Sequence, residues 1–433
     1  MYLTTTILLI IMIAVFVFSS IKFKSPEISM AFAGVVIAVI AWGLIEGLNN
    51  PVRYLVEGLF TNLDLAILFM TASLFINVYA NSGSLDTVTR KLVSTFSNKW
   101  ILMFFMAVFM IIPGALTGAG SVSVFVMGGL VATVITFMGL SDKKTAAFVF
   151  VFAIMSAAAP PINLWTMLMT ASANMPYVGF GKLLSIPIII TGVFTIIYLG
   201  WGAKPQSTEK ILEKLPQATE GMNLVRILLP LITIASLILL SLYLPWNIPV
   251  LGLPLMFIIS TIVAILCNPK KTTFKEYRAL VDNTMEQVFP LAATVISVGL
   301  LQSAMTATGV KGLIGVTFVT LPLVLIYGFI LIIGPITQGS LSYGSAIIIG
   351  TPLIFMFNTH GFDTTVVCAA LSLIFPIGDC LPPSRIVGRL TCEATGYKGS
   401  YMSFLKQLFL PCLLLGGIAL VMLVNPNSFA FLK

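Results

Sequence analysis

Charge is what this sequence has least of. Lysine and arginine number 23 and aspartate and glutamate 15 in 433 residues, 9% of the chain, with one histidine, His360. A soluble domain carries about 25% charged residues, so a soluble protein of this length is excluded. A single histidine also excludes a His-Glu-x-x-His zinc site. Cysteine is scarce as well. Cys267, Cys368, Cys380, Cys392 and Cys412 all fall in the second half, and neither paired spacing nor histidine partners point to a disulfide framework or a metal site. They read as reduced, small core residues. No segment has the composition of an appended soluble domain. The first apolar stretch, about 3–18, lacks a basic start and a small-residue cleavage site before Lys22, which reads as a retained helix rather than a signal peptide.

What fills the chain instead is apolar. Hydrophobic residues make up 58% and the mean hydropathy is +1.06, the composition of a polytopic, all-helical membrane protein. Apolar spans lie near 3–20, 28–48, 60–80 and 183–201, then near 225–243, 247–267, 284–304 and 402–424. Between them are interrupted segments at about 100–138 and 313–358, and Pro-Pro-broken segments at about 145–173 and 364–397. The most polar stretch, 202–223, with Lys204, Glu209, Lys210, Glu213, Lys214 and Glu220, reads as a cytoplasmic linker between residues 1–201 and 224–433. The net charge of +8 sits in short loops, where it sets topology rather than binding nucleic acid. Trp100, Trp201 and Trp246 fall at span ends and suit interfacial anchoring.

The two halves repeat each other. An offset of 222 residues carries Pro113 onto Pro335, Gly139 onto Gly361, and Pro160-Pro161 onto Pro382-Pro383. The breaks coincide: Pro113–Ser121 answers Gly334–Ser345, and Ala159–Asn163 answers Leu381–Arg385. Proline, glycine and hydroxyl residues at this density free backbone groups that hydrocarbon cannot satisfy, so the breaks must line a cavity or be buried in protein. Loop charge inverts between the halves. Arg90, Lys91 and Lys99, and then Lys143 and Lys144, face a first-half side whose second-half equivalents hold only Lys311 and His360. Conversely Lys270, Lys271, Lys275 and Arg278 correspond to a loop with only Arg53. Inverted repeats with paired broken helices are the sequence signature of a secondary transporter with its site near the midplane.

The residues at the breaks supply the chemistry. Unwound backbone offers free carbonyls, and small hydroxyl and amide side chains complete an oxygen cage for sodium. Gly118, Ser121, Pro160 and Asn163 can frame one such site, and Gly339, Ser340, Ser342, Leu381 and Ser384 its mirror. Thr117, Gln338 and Arg385 are the candidate substrate contacts, since an arginine at membrane depth can grip a carboxylate in bidentate fashion. Asp379 can ligate sodium, carry a proton or neutralise Arg385. Asp64 and Glu286 share the offset and are expected to cap the starts of equivalent spans.

Taken together, Asn81-Ser82-Gly83-Ser84-Leu85, Thr117–Ser121, Pro160-Pro161, Thr351-Pro352-Leu353-Ile354 and Leu381-Pro382-Pro383 resemble the large membrane subunit of tripartite ATP-independent periplasmic (TRAP) transporters. That subunit lies within the ion-transporter superfamily that also holds gluconate and dicarboxylate permeases. The resemblance implies two re-entrant hairpins and two broken helices forming a mobile elevator domain against a scaffold of the other spans. It implies sodium as the coupling ion and no other cofactor. It also implies a small organic anion as substrate, a small membrane subunit and a periplasmic substrate-binding protein as partners, and a bacterial inner-membrane location. Monomer and homodimer stay open. The alternative is a stand-alone proton-coupled organic-acid permease using Asp379 as proton carrier. An intramembrane enzyme is more distant: Pro376-Ile377-Gly378-Asp379 lacks the Gly-x-Gly-Asp pattern and a second buried aspartate for a dyad. A channel is disfavoured by gating hairpins in both halves.

Overall fold

The computed structural model describes residues 2–433 except 46, 49, 206–207, 244–251 and 271. Lys271, Trp246 and the start of the span near 247–267 therefore lie outside the described residues. All regular structure among the described residues is helical. Among the described residues, ten helical stretches are long and apolar enough to cross a membrane, α3–α4 counted as one and α7–α8 as one.

The first half opens with α1 (Tyr2–Phe23) and α2 (Pro26–Leu44), the latter started by Ser25, whose side chain accepts from the Ile28 amide, and by proline in the first turn. Next come α3 (Pro51–Thr61), α4 (Leu63–Asn81) and the amphipathic α5 (Ser84–Thr95), then α6 (Lys99–Thr117). After the Gly118-Ala119 turn the chain returns as α7 (Gly120–Ser123), a π-helical turn at Val124–Gly128, and α8 (Gly129–Phe137), closing the first hairpin. The broken helix is α9 (Asp142–Ala158) and α10 (Leu164–Ala173), followed by α11 (Phe180–Gly200). Within the linker, α12 (Thr208–Lys214) buries Ile211 against the body. The Arg90 guanidinium of α5 donates to the Leu212 and Leu215 carbonyls at its end, at 2.8 and 3.2 Å.

The second half runs α13 (Leu224–Tyr243), α14 (Leu253–Cys267), α15 (Phe274–Ala307) and α16 (Val310–Thr320). Its hairpin is α17 (Leu323–Leu341), a π-helical turn at Ala346–Gly350, and α18 (Thr351–Thr359). Thus 313–320, expected in the hairpin, form the separate α16, cut off before Pro322, which opens α17 as its N-cap. The second broken helix is α19 (Thr364–Ile374), a 3₁₀ turn at Phe375–Cys380, and α20 (Ile386–Ala394); α21 (Tyr401–Val424) follows. The two π turns fall at the same 222-residue offset as the prolines, and the Pro160-Pro161 and Pro382-Pro383 bonds are both cis. Asp64 sits in the first turn of α4, whereas Glu286 lies exposed in the middle of the unbroken α15 and caps nothing.

The inverted relation of the halves is visible where equivalent helices touch. The α3–α4 segment and α15 occupy the same place in the two repeats and run antiparallel against each other. Asn62 donates to the Val295 carbonyl at 3.4 Å, and one span-length away Asn77 donates to the Thr284 hydroxyl at 3.1 Å. Where they cross, a Cβ on Gly299 would fall 2.5 Å from the Gly58 carbonyl oxygen, so only glycine permits this approach. Equivalent helices that run antiparallel are related by an axis in the membrane plane.

Two packing groups result. α15 lies against α2, α3 and α4, and α14 against α4 and α13; the hairpins, both broken helices, α11 and α21 pack on one another. α11 and α21 therefore belong with the hairpins and not with the scaffold of remaining spans. The cause is the burial demand of α9, in which every residue from Thr145 to Ala158 is buried. A helix apolar on all sides must be surrounded, and α6, α11, α20 and α21 surround it.

Candidate substrate and ion site

Each hairpin tip is bonded to the Pro-Pro break of its own half. In the first, the Ile162 amide donates to the Ala115 carbonyl at 3.1 Å. In the second, at the position 222 residues on, the Ser384 amide and hydroxyl both donate to the Gly339 carbonyl, at 3.1 and 2.6 Å. The tips also meet: the Tyr343 hydroxyl donates to the Gly118 carbonyl at 3.1 Å, and the Tyr343 ring lies 4.8 Å from that of Trp165. Glycine makes the approaches possible. Gly118 has φ +73°, and a side chain there would strike Leu164, while a Cβ on Gly339 would stand 3.0 to 3.2 Å from the carbonyls of Leu381, Pro382 and Gly378.

The first break is closed. Asn163, fully buried, ends it as the N-cap of α10, its Oδ1 accepting from the Thr166 amide at 3.0 Å. Its Nδ2 donates to the Ala158 carbonyl at 2.9 Å and across the halves to the Ser372 hydroxyl of α19 at 3.0 Å. The side-chain amide has thus spent both donors and one acceptor on protein. Tyr177, ahead of α11, donates to the Pro161 carbonyl at 2.9 Å and accepts from the Asn163 amide at 3.2 Å. Thr117 serves its own tip, donating to the Pro113 carbonyl at 2.8 Å. Ser121 is buried at the start of the returning arm, and Pro161 is exposed beside the half-buried Pro160. One polar atom stays unmatched here, the buried Thr166 hydroxyl.

The second break is more open, with Pro382 and Pro383 exposed and Leu381, Ser384 and Arg385 half-buried. Gln338 organises its inner side. Its Oε1 accepts from Trp165 Nε1 at 2.8 Å and from the Ser345 hydroxyl at 2.6 Å. Two donors on Oε1 fix the amide's orientation, so Nε2 faces Asp379 and donates to Oδ1 at 2.9 Å. Asp379 and Arg385 form no ion pair among the described residues, whose pairs are Arg53–Glu57, Arg278–Asp282 and Lys433–Asp363. Of the three roles open to Asp379, a neutralising contact with Arg385 is not formed among the described residues: Asp379 is held by Gln338, while the Arg385 guanidinium lies over the Tyr401 ring, 5.0 Å from its centroid. Arg385 also holds φ +50° and Ser342 φ +50°, left-handed backbone that non-glycine residues occupy only when their surroundings dictate it.

Chemically, the second break joins a carboxylate and several carbonyls, ligands suited to a hard cation, to an arginine suited to an anion. The structure thus gathers Gly339, Gln338, Asp379, Leu381, Ser384 and Arg385 in one place, and Gly118, Pro160 and Asn163 in another. Ser340 stays apart, donating along its own helix to the Ile336 carbonyl at 3.1 Å. Sequence reasoning gave no role to Tyr343 and Ser345, although they lie in the Gly334–Ser345 break, and missed Trp165 and Ser372, which carry no local signal. It also missed Tyr177 and Tyr401, which stand shortly before α11 and at the start of α21, 224 residues apart. An open cleft of about 600 Å³ lies away from the breaks, between α16 and α18 beside Lys311 and Phe355.

No family model and no curated protein matches the chain by sequence. Solved structures do match. One is the YdaH transporter of Alcanivorax borkumensis, described as having an unusual topology: it aligns at a TM-score of 0.65 and 14% identity over 92% of this chain and 97% of its own. The all-helical, multi-span fold of this chain is thus similar to that of a membrane transporter.

Proposed function

We propose that this chain is a bacterial inner-membrane secondary transporter that imports a small organic anion, in the first instance a carboxylate, coupled to a sodium gradient. The observation that carries the reading is the doubled contact of hairpin tip on Pro-Pro break, repeated in two halves that run antiparallel. The hairpins, broken helices, α11 and α21 would move as one body against α1–α5 and α13–α15. Arg385 would bind the carboxylate, and the oxygens near Asp379 and Gly339 would bind the cation. The TRAP reading adds a small membrane subunit and a periplasmic binding protein as partners. The stand-alone proton-coupled permease has its own support: the polar partner of Asp379 is the neutral Gln338 amide, so its carboxyl can take up a proton without losing an ion pair.

Uptake of radiolabelled carboxylates into proteoliposomes, under an imposed sodium or proton gradient and with or without an added binding protein, tests all of these. Uptake requiring sodium and the binding protein supports the tripartite form. Uptake driven by protons alone and lost in Asp379→Asn supports the permease. No uptake of any carboxylate under either gradient overturns the reading for this substrate class.

A further inference from the structure

The proposal concerns how Arg385 is aimed, and it rests on the reading of that residue as the anion contact. Arginine is a long side chain with much rotamer freedom, and its planar fork recognises a carboxylate only when its plane is fixed. Among the described residues Arg385 has no carboxylate to fix it. It has the face of Tyr401, with the guanidinium carbon 5.0 Å from the ring centroid. A guanidinium held over a ring face keeps its N–H donors in its own plane, free for a second partner.

The ring is itself held. The Tyr401 hydroxyl donates to the Cys380 carbonyl at 2.8 Å, tying the start of α21 to the far side of the break that carries Arg385. The Phe404 ring stands 5.3 Å away on the same helix. Space for the hydroxyl exists only because residue 388 is glycine: a Cβ built there collides with the Tyr401 hydroxyl oxygen and lies 3.3 Å from the Cys380 backbone. Gly388, Cys380, Tyr401 and Arg385 thus form one assembly in which backbone fixes ring and ring fixes guanidinium.

We propose that Tyr401 is a positioning residue for anion binding, orienting the Arg385 guanidinium within the mobile body. It touches Arg385 and not the substrate. A merely structural tyrosine would affect folding and maximal rate together. A positioning tyrosine moves KM while leaving the maximal rate near its original value, and Phe partly replaces it because the ring remains.

Two measurements on the full chain in proteoliposomes test this. In uptake of radiolabelled succinate, lactate and gluconate, Tyr401→Leu should raise KM about tenfold with the maximal rate within about twofold, the size expected for a desolvated cation–π contact. Tyr401→Phe should give a smaller rise, and Gly388→Ala, which displaces the hydroxyl, should reproduce the Leu variant in a protein that retains the tyrosine. Independently of any substrate, phenylglyoxal modification followed by mass spectrometry should show Arg385 reacting several-fold faster in Tyr401→Leu, with Arg53 as internal reference. An unchanged KM in Tyr401→Leu, or an unchanged Arg385 modification rate, overturns the proposal. If none of the three acids enters the wild-type liposomes while the modification rate rises as expected, the carboxylate reading fails and the aiming of Arg385 by Tyr401 stands.

Discussion

Asn163 and Arg385 occupy the same position in the two halves, two residues after a cis Pro-Pro bond, and they do opposite things. Asn163 is sealed in, its amide committed to Ala158, Thr166 and Ser372. Arg385 is half-buried beside exposed prolines, held by an aromatic face and, among the described residues, by no carboxylate. Each break has a tyrosine strut, Tyr177 on the Pro161 carbonyl and Tyr401 on the Cys380 carbonyl, so the frames are alike and the occupants differ. The repeat supplies a symmetric scaffold, and the two breaks depart from it: one is closed by a neutral amide that joins the halves, the other carries a positive charge with no carboxylate partner among the described residues.

The harshest way to break this comparison is to move the charge. Asn163→Arg buries a guanidinium where the asparagine is 0% exposed, among carbonyl and hydroxyl groups with no carboxylate among its described hydrogen-bond partners, at a cost of several kcal/mol. Loss of the monodisperse peak in fluorescence-detected size-exclusion chromatography is expected, and a normal peak would show that the first break is more open than described. Next in size is Arg385→Ala. It removes a charge-assisted, bidentate contact worth about 2–5 kcal/mol when truncated, so KM for the transported anion should rise at least about thirtyfold. The chromatographic profile should stay unchanged, because no ion pair among the described residues uses this side chain. An unaltered KM would move the anion site away from the second break.

How much of this was legible beforehand differs between the two breaks for a physical reason. The offset that aligns the prolines also aligns Asn163 with Arg385, and the composition alone required broken helices buried in protein. The fold class and the places of the breaks therefore follow from sequence. Side-chain destinations across the halves do not. Trp165 reaches Gln338 over a separation of 173 residues, and Asn163 reaches Ser372 over 209. No local pattern encodes such pairs, since they depend on how two inverted halves interleave. The proximity of Asp379 and Arg385 in sequence suggested an ion pair. It fails because the left-handed turn at Arg385 sends the guanidinium toward α21 while Asp379 sits on the preceding 3₁₀ turn facing Gln338.

Gln338 sharpens the comparison from the other side, since it is where the sealed and open regions touch. Gln338→Leu leaves the Trp165 indole N–H without its acceptor in a buried place, about 1–3 kcal/mol, while the Ser345 hydroxyl keeps the Ser342 carbonyl. It also frees Asp379 of its Gln338 partner. The melting temperature in detergent should fall, and the ion or proton dependence of uptake should shift, because the group coupled to the carboxylate has been removed. A lower melting temperature with unaltered ion dependence would confine Gln338 to joining the halves and take Asp379 out of coupling.

The smallest effect is also the most discriminating one. Tyr177→Phe deletes a hydroxyl that serves the Pro161 carbonyl and the Asn163 amide, as Tyr401→Phe deletes one that serves Cys380. Each loss should cost about 1 kcal/mol of stability, a shift of a few degrees in melting temperature. If the two breaks differ as described, only Tyr401→Phe changes KM, because only its ring carries an arginine. Equal KM changes in the two variants would mean that both breaks face the substrate, and the sealed role of Asn163 would have to be given up.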